Sequence, residues 1–338
     1  SFSKMFKDNK AIKKKSIILF YYDIQCIIKR RSFLIYQSFE IFCQNGKSYF
    51  FNLYRKENCE NAFKILNAIR EKLPDKDKFI FINENTSEEV KTINIEVKTG
   101  FITNYDYLLK INYLASRTFN DLTQYPIFPW LFFDLKKIKE LFLNENIRNQ
   151  LVKEFPINSG HISENDKEDK IENINSKLGN EDLSIKFKLR NFDYPISLQA
   201  EEKRQKFIEE DCSPHGNHYS TSSYIIFYLI RIYPFMESMV QLQNLSKEKP
   251  DRLSKSLKNI LHLLSGIKEN RESCPEFFSN FDFYCNLNCA FLGYQQNDFL
   301  VDDYLADNQE ALSSNLYSSY FKYTYTLRKV LNSYLISK

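Results

Sequence analysis

Apolar and polar positions alternate over short stretches in the first fifty residues, and this pattern does not recur downstream. Residues 16–22, 25–28, 32–36, 39–42 and 48–53 are rich in Ile, Phe and Tyr. Such side chains suit a pleated, half-buried surface, so all five are predicted strands. Asn45-Gly46 lies between the last two, and the tolerance of both residues for positive φ predicts a two-residue type I′ turn. Over residues 58–72 the period changes. Ala62, Leu66, Ile69 and Leu73 recur at steps of four, three and four, the apolar stripe of a helix that Pro74 ends. Strands closed by one amphipathic helix predict a small β-barrel with a helical cap over residues 1–75.

Residues 76–98 are polar and read as a linker, with one short strand at 79–82. From residue 99 to 338 the helical period dominates, giving an α+β chain. Thr103 with Asp106 three residues later is a capping-box-like start. Behind it Tyr107, Leu108, Ile111, Leu114 and Ala115 fall on one helical face. Residues 158–182 are acidic, poor in apolar side chains and contain Gly160 and Gly179, which predicts a mobile surface insertion. A helix over 220–232 stops before Pro234. Another over 253–264 carries Leu253, Leu257, Ile260, Leu261 and Leu264 on one side. The last, over 308–334, repeats Leu312, Leu316, Tyr320, Tyr323, Leu327, Val330 and Tyr334 at three or four.

Composition narrows the class. A chain of 338 residues with 43% apolar content can bury two cores. No apolar run approaches the roughly 18 residues that a membrane span needs; the longest, 224–230, meets Arg231. The N-terminus lacks a signal-peptide arrangement, so the expectation is a cytoplasmic protein, peripheral at most on endomembranes. Seven scattered cysteines fit reduced thiols rather than a disulfide framework. The net charge of +4 is unevenly divided: residues 1–73 hold 15 basic and 6 acidic side chains, a net of +9, leaving −5 for the other 265. That basic half suits an acidic lipid surface or the acidic remainder of the chain, and Lys13-Lys14-Lys15 also reads simply as a solvated tail.

Residues 101–130 read FITNYDYLLKINYLASRTFNDLTQYPIFPW. Pro126 and Pro129 fix φ and remove two backbone donors, so this stretch runs extended. Buried backbone of that kind needs side-chain partners, and Arg117, Asn120, Asp121 and Gln124 are the candidates. The segment resembles the signature of the BEACH domain: a helix, Arg-x-x-Asn-Asp-Leu, then Gln-Tyr-Pro-x-Phe-Pro-Trp. A second block, GNHYSTSSYIIFYLIRIYPF at 216–235, is similar to that family's Gly-x-His-Tyr-Ser, apolar helix and Arg-x-x-Pro-Phe. Cys274-Pro275-Glu276-Phe277-Phe278 and Gln309-Glu310-Ala311-Leu312 are weaker matches. In that family a PH-like domain precedes BEACH, and residues 28–54 with the helix after them look like its C-terminal half.

The resemblance implies a partial PH-like barrel docked on a mostly helical BEACH domain, and a non-enzymatic scaffold for protein partners in vesicle, lysosome-related or autophagic traffic. It carries no cofactor. Its implied interaction groove comprises Asn104, Arg117, Asn120, Asp121, Gln124, Tyr125, Pro126, Phe128, Pro129, Trp130, His218, Tyr219, Ser220, Arg231 and Pro234. The aromatic members Tyr125, Phe128 and Trp130 read first as core, and otherwise as the lining of an interdomain groove that receives a peptide or partner helix. Departures are visible. Only the later barrel strands are present, and Pro214-His215 stands where the family has His-Tyr. The chain stops before the family's last segment and its propeller, which suggests a fragment or a divergent paralogue.

Other chemistries compete for the same residues. Cys212, His215 and His218 form C-x-x-H-x-x-H, which invites zinc or a hydrolytic site. A fourth ligand is not at knuckle spacing, however, since Cys274, Cys285 and Cys289 are separated by ten and three residues. No G-x-S-x-G elbow and no Gly-rich phosphate loop occurs among seven glycines. Lys29-Arg30-Arg31, flanked by aromatics, lacks a nucleic-acid motif and reads as an interdomain or lipid-facing basic patch.

Overall fold

The computed structural model describes residues 17–32, 35–74, 80–82, 87–131, 189–194, 196–199, 201–209, 221–243, 260, 271–287, 289, 292, 294–295, 299–300 and 316–332. Two compact units divide the chain, Ser1–Thr86 and Ser87–Lys338. The expected insertion at 158–182, nearly all of the helix at 253–264, and Cys212, His215, His218, Tyr219 and Ser220 lie outside the described residues.

The first unit is built on a sheet of order β3-β2-β1-β4. Its strands are β1 (Ile24–Ser32), β2 (Ile35–Cys43), β3 (Ser48–Asn52) and β4 (Ile80–Ile82). The first three form an antiparallel meander, with Ile27 opposite Ile41 and Phe39 opposite Phe51. β4 runs parallel to β1, Ile27 facing Phe81. Among the described residues this is an open sheet rather than the expected barrel. The predicted strand at 25–28 is too short, since β1 continues through Lys29-Arg30-Arg31; that at 32–36 spans the end of β1 and the start of β2, and that at 39–42 is part of β2. Residues 21–23 form a 3-10 turn instead of the end of a strand. Asn45-Gly46 does reverse the chain, but only Gly46 takes positive φ (79°), donating its N–H to Cys43 O. Asn45 instead accepts from Lys47 N through its side chain, at 3.0 Å. The turn therefore needs one left-handed residue, not the two of type I′.

Helix α1 (Lys56–Arg70) covers one face of this sheet. Its buried stripe is Cys59 and Phe63 with Ala62 and Leu66 beside them. The predicted stripe was set one step too far along the chain, since Cys59 and Phe63 were not counted. Phe63 packs on Phe81 at 4.2 Å between ring centroids. The opposite face of β1 and β2 is buried as well, and there Ile28, Arg30, Ser38 and Glu40 lie side by side.

In the second unit, residues expected to be linker form α2 (Ser87–Lys98), which packs on α3 (Asn104–Leu114). Lys110 Nζ contacts Glu96 Oε2 at 2.6 Å, and Tyr107 OH donates to Asn94 at 3.1 Å. Thr103 caps α3 as expected, accepting from Asp106 N. The remaining described helices are α4 (Glu201–Glu209), α5 (Ser222–Leu229), α6 (Phe235–Gln243), α7 (Glu276–Ser279) and α8 (Leu316–Leu331). Helix α5 ends before Pro234, as expected. Helix α8 buries Tyr320, Tyr323, Leu327 and Val330, the stripe that the sequence predicts. A two-stranded ribbon, β5 (Tyr294–Gln295) with β6 (Phe299–Leu300), completes the list of elements. At the centre of the core Phe277 meets Trp130, Tyr228, Phe283 and Tyr284, at centroid distances of 4.7, 5.5, 4.6 and 5.9 Å.

Candidate functional site: the braced segment 117–130

After α3 the chain turns at Ser116, whose φ of 64° is left-handed. Thr118 N then donates to Gln124 O at 2.8 Å, closing a loop around a 3-10 turn at Leu122–Gln124. Asp121 caps that turn, accepting from Thr123 N at 2.9 Å and from Thr123 Oγ1 at 2.7 Å. Arg117 Nη1 donates to Tyr125 O at 2.9 Å. Two of the four expected side-chain braces, Arg117 and Asp121, therefore act on backbone. Gln124 acts through its carbonyl, and Asn120 N donates to Thr118 Oγ1.

The strongest braces come from residues that the sequence reading did not name. Asn112, on the buried face of α3, donates from Nδ2 to Ile127 O at 2.9 Å and accepts from Ile127 N at 2.8 Å. Its amide pairs with Ile127 as a neighbouring strand would, in the gap between Pro126 and Pro129. Phe128 N donates to Ser273 O at 2.9 Å, and Ser273 Oγ donates to Phe128 O at 2.9 Å. Glu272 accepts from Trp130 N at 3.2 Å and from Ile196 N at 3.4 Å, and both its oxygens take Arg190 Nη1 at 2.8 and 2.7 Å. Trp130 Nε1 donates to Arg271 O. The signals for these residues were present: a polar Asn inside an otherwise apolar helical face, and Glu-Ser just before Cys274-Pro275.

The aromatic members of the braced segment, Tyr125, Phe128 and Trp130, pack as core. Tyr125, Pro126, Phe128 and Trp130 are buried and Pro129 is partly so. Phe119, next to the predicted members, is partly exposed, with its ring edge-on to Tyr125 at 5.3 Å. Asn104 Nδ2 donates to Leu331 O at 2.7 Å and Tyr105 N to Asn332 Oδ1 at 3.1 Å, tying the start of α3 to the end of α8. Arg231 is buried, whereas Pro234 is exposed beyond α5 after a cis Tyr233-Pro234 bond. The expected basic run Lys29-Arg30-Arg31 lies within β1. Lys29 and Arg30 are 6% and 0% exposed, Arg30 pairs with Glu40, and only Arg31 reaches the surface, stacked on Tyr36.

Burial sets the electrostatics. It pushes the Tyr125 hydroxyl far up, with Glu276 adding to the effect, and raises Tyr105 for the same reason. It holds the Cys274 thiol well above its ordinary value, with Glu276 again contributing. Burial also raises the Glu276 carboxyl, partly offset by the hydrogen bond that it accepts from Tyr125 OH. Arg117 is lowered by burial. A neutral tyrosine and a neutral thiol are poor nucleophiles, so these groups suit packing and hydrogen bonding. Among the described residues no three His, Cys, Asp or Glu side chains come together as a metal site, and no helix is long and apolar enough to cross a membrane.

Two outcomes follow from this geometry. Asn112→Ala leaves Ile127 N–H and C=O without their partner and is expected to destabilise the second unit by about 2–3 kcal/mol. Urea unfolding followed by the fluorescence of the single tryptophan measures it, and a change below about 0.5 kcal/mol would contradict the bracing role. Glu276 is the case for pH. Its folded-state pKa lies above the ordinary 4.5, so the unfolded chain loses this proton first as pH rises. Stability from this group is therefore full below 4.5 and falls as pH climbs through the folded value. Glu276→Gln keeps an acceptor for Tyr125 and removes that loss. Its stability relative to the unsubstituted protein is expected to rise with pH from 4.5 upward, and a flat difference between melts at successive pH values would refute the shift.

Comparison with known proteins agrees with this arrangement. The Beige/BEACH domain family matches residues 96–182 and 171–338, which include the braced segment and its distant supports. The chain belongs to the BEACH family. Beige protein homolog 1 of Saccharomyces cerevisiae is 28% identical over 358 aligned residues, covering 88% of this BEACH chain and 14% of that protein. BEACH domain-containing protein B of Arabidopsis thaliana is 26% identical, over 86% of this chain and 11% of that protein. The Lysosomal-trafficking regulator of Drosophila melanogaster is 25% identical, over 79% and 7%. The BEACH chain thus spans a seventh or less of the length of these relatives. The yeast match also covers more of the chain than the family match does, so it takes in part of residues 1–95.

Proposed function

We propose that this BEACH chain is a non-enzymatic scaffold in intracellular membrane traffic, acting through protein–protein contacts on the cytoplasmic side of endomembranes. One observation carries the reading. The polar side chains around the family's densest motif (Arg117, Asp121, Asn112, Glu272 and Ser273) are engaged with backbone, and the nearby Tyr125 and Cys274 are held in their neutral forms. A segment braced in this way keeps a shape on which surrounding surfaces can be displayed. The name of the fly relative, a lysosomal-trafficking regulator, supplies the cellular setting. In the same reading the first unit is the later part of a PH-like domain, and it works with the BEACH unit as one platform.

Deleting this region in the source organism is expected to alter the size or positioning of lysosome-related compartments, and normal compartments would overturn the traffic reading. The purified chain is expected to hydrolyse no model ester or phosphate ester. Turnover abolished by substituting Cys212, His215 or His218 would replace the scaffold with an enzyme. After cleavage at a protease site inserted in residues 83–86, the two units are expected to co-elute; separate elution would end the single-platform reading.

A further inference from the structure

Two helix ends that lie 227 positions apart in sequence cap each other in the second unit. A helix starts with four N–H groups that its own turns cannot satisfy and ends with four such carbonyls. At the start of α3, Thr103 Oγ1 takes one of them, accepting from Asp106 N. The Tyr105 N–H is met from outside, by Asn332 Oδ1 at 3.1 Å. In return Asn104 Nδ2 donates to Leu331 O, at the end of α8, at 2.7 Å. Each asparagine thus serves the other's helix.

The exchange ties together the winding of both turns. Asn332 is placed by its own N–H, which donates to Arg328 O at 3.0 Å and closes the last turn of α8. Asn104 is placed by the first turn of α3, where Thr103 accepts from Asp106 N and Tyr107 N. That last turn of α8 also sets the Arg328 guanidinium over the Tyr105 ring, 3.1 Å from its centroid. Tyr105 is buried there, and its ring meets Phe128 of the braced segment edge-on at 4.9 Å. Unwinding either turn therefore takes a hydrogen-bond partner from the other and parts Arg328 from Tyr105.

We infer that the first turn of α3 and the last turn of α8 form a clasp that opens and closes as one unit, and that its opening uncovers Tyr105 beside the braced segment while the rest of the core stays folded. Two shared links make half-opening unfavourable, because a released turn leaves a poorly solvated group on the other unmet. Opening both turns together spares the contacts of Trp130 with Tyr228 and Phe277, so it lies below global unfolding in free energy. The clasp is a control point: whatever winds or unwinds the end of α8 sets the exposure of Tyr105 against the family's densest motif. It is independent of the scaffold reading, because it rests on the two helix ends alone.

Native-state amide hydrogen exchange of the whole chain, read residue by residue by NMR, tests it. The Tyr105, Asp106, Tyr107 and Asn332 amides are expected to exchange through one common opening, faster than Ile226 and Tyr228 in α5. Asn332→Ala removes an acceptor from Tyr105 alone, yet it is expected to speed Asp106 and Tyr107 as well, by about tenfold. Asn104→Ala is expected to speed Asn332, on the other helix, by a similar factor. Asn332 sits half-buried at a helix end, so Asn332→Ala carries the test even where Asn104→Ala does not fold. Acetylation of Tyr105 by N-acetylimidazole, located by mass spectrometry, is expected to quicken with the amides. Faster exchange confined to the Tyr105 amide in Asn332→Ala would overturn the clasp in favour of two independent caps. Equal quickening of Ile226 and Tyr228 would overturn it too, since the helix ends would then open only with the core. Unchanged acetylation beside faster exchange would show that opening leaves Tyr105 covered, and would also overturn it.

Discussion

Glu272→Ala is expected to destabilise the second unit by about 3–5 kcal/mol, enough to unfold a marginal domain. Four donor contacts converge on this carboxylate, from the Arg190 guanidinium, which reaches both oxygens, and from the amides of Trp130 and Ile196. Both ionised side chains are nearly withdrawn from solvent, at 6% and 9% exposure. Truncation therefore strands a guanidinium in a poorly solvated site and leaves two backbone N–H groups without an acceptor, each costing about 1–3 kcal/mol. A companion experiment separates the two losses. In the double variant Arg190→Met, Glu272→Met the stranded charge is gone but the two amides remain unsatisfied, so stability is expected to recover only in part. Trp130 is the only tryptophan and its own amide donates to Glu272, which makes its fluorescence in urea a direct reporter. A loss below about 1 kcal/mol for Glu272→Ala would mean that the carboxylate is not the hub that the geometry makes it.

Glu40→Ala is expected to have a similar effect on the first unit, with a different pattern of rescue. Arg30 Nε meets Glu40 Oε2 at 2.9 Å, and neither side chain has any exposed surface. They are diagonal neighbours on one face of the sheet, because Ile28 opposes Glu40 and Arg30 opposes Ser38. Removing the acid leaves a buried cation, at a cost of about 3–5 kcal/mol. Replacing both with apolar side chains, Arg30→Met and Glu40→Leu, is expected to restore stability to within about 1 kcal/mol or to exceed it, since the stranded charge is removed together with its partner. High salt is expected to change little, because buried charges are poorly screened. A single-variant cost that vanishes at high salt would place the pair at the surface instead.

These two sites also show where sequence reasoning stopped. The chain's local periodicities gave β3, α1, α5 and α8 close to their observed positions, because each has a pattern whose spacing is set within the element. Arg30 misled the reading for a physical reason. It was read as part of an interdomain or lipid-facing basic patch, whereas Glu40 on the next strand lets it remain buried inside β1. Helix α3 shows the same limit. Counting apolar side chains put Tyr107, Leu108, Ile111, Leu114 and Ala115 on one face; Leu108 does pack against the core, but the buried positions are Asn104, Tyr105 and Asn112, and Asn112 is there to hold Ile127. The family motif correctly implied an irregular segment held by side chains. It could name only supports close in sequence, and so found Arg117 and Asp121 but not Glu272 or Ser273. Whether Tyr125, Phe128 and Trp130 were groove or core could not be settled by spacing, since buried and exposed aromatics beside prolines look alike until their neighbours are known.

The distance of those supports has a consequence in time. The segment at 117–130 takes one set of braces from Asn112, already made, and the other from residues 271–273, about 145 positions downstream. At translation rates of roughly 5–20 residues per second, the segment waits about 7–30 seconds after its own synthesis before Glu272 and Ser273 exist. During that interval Trp130 and Phe128 have left the peptidyl-transferase centre without the partners that bury them. A nascent chain paused between residues 131 and 271 is thus expected to be a preferred client for chaperones that bind exposed aromatic segments. One extended past Phe278 has the aromatic partners against which they pack.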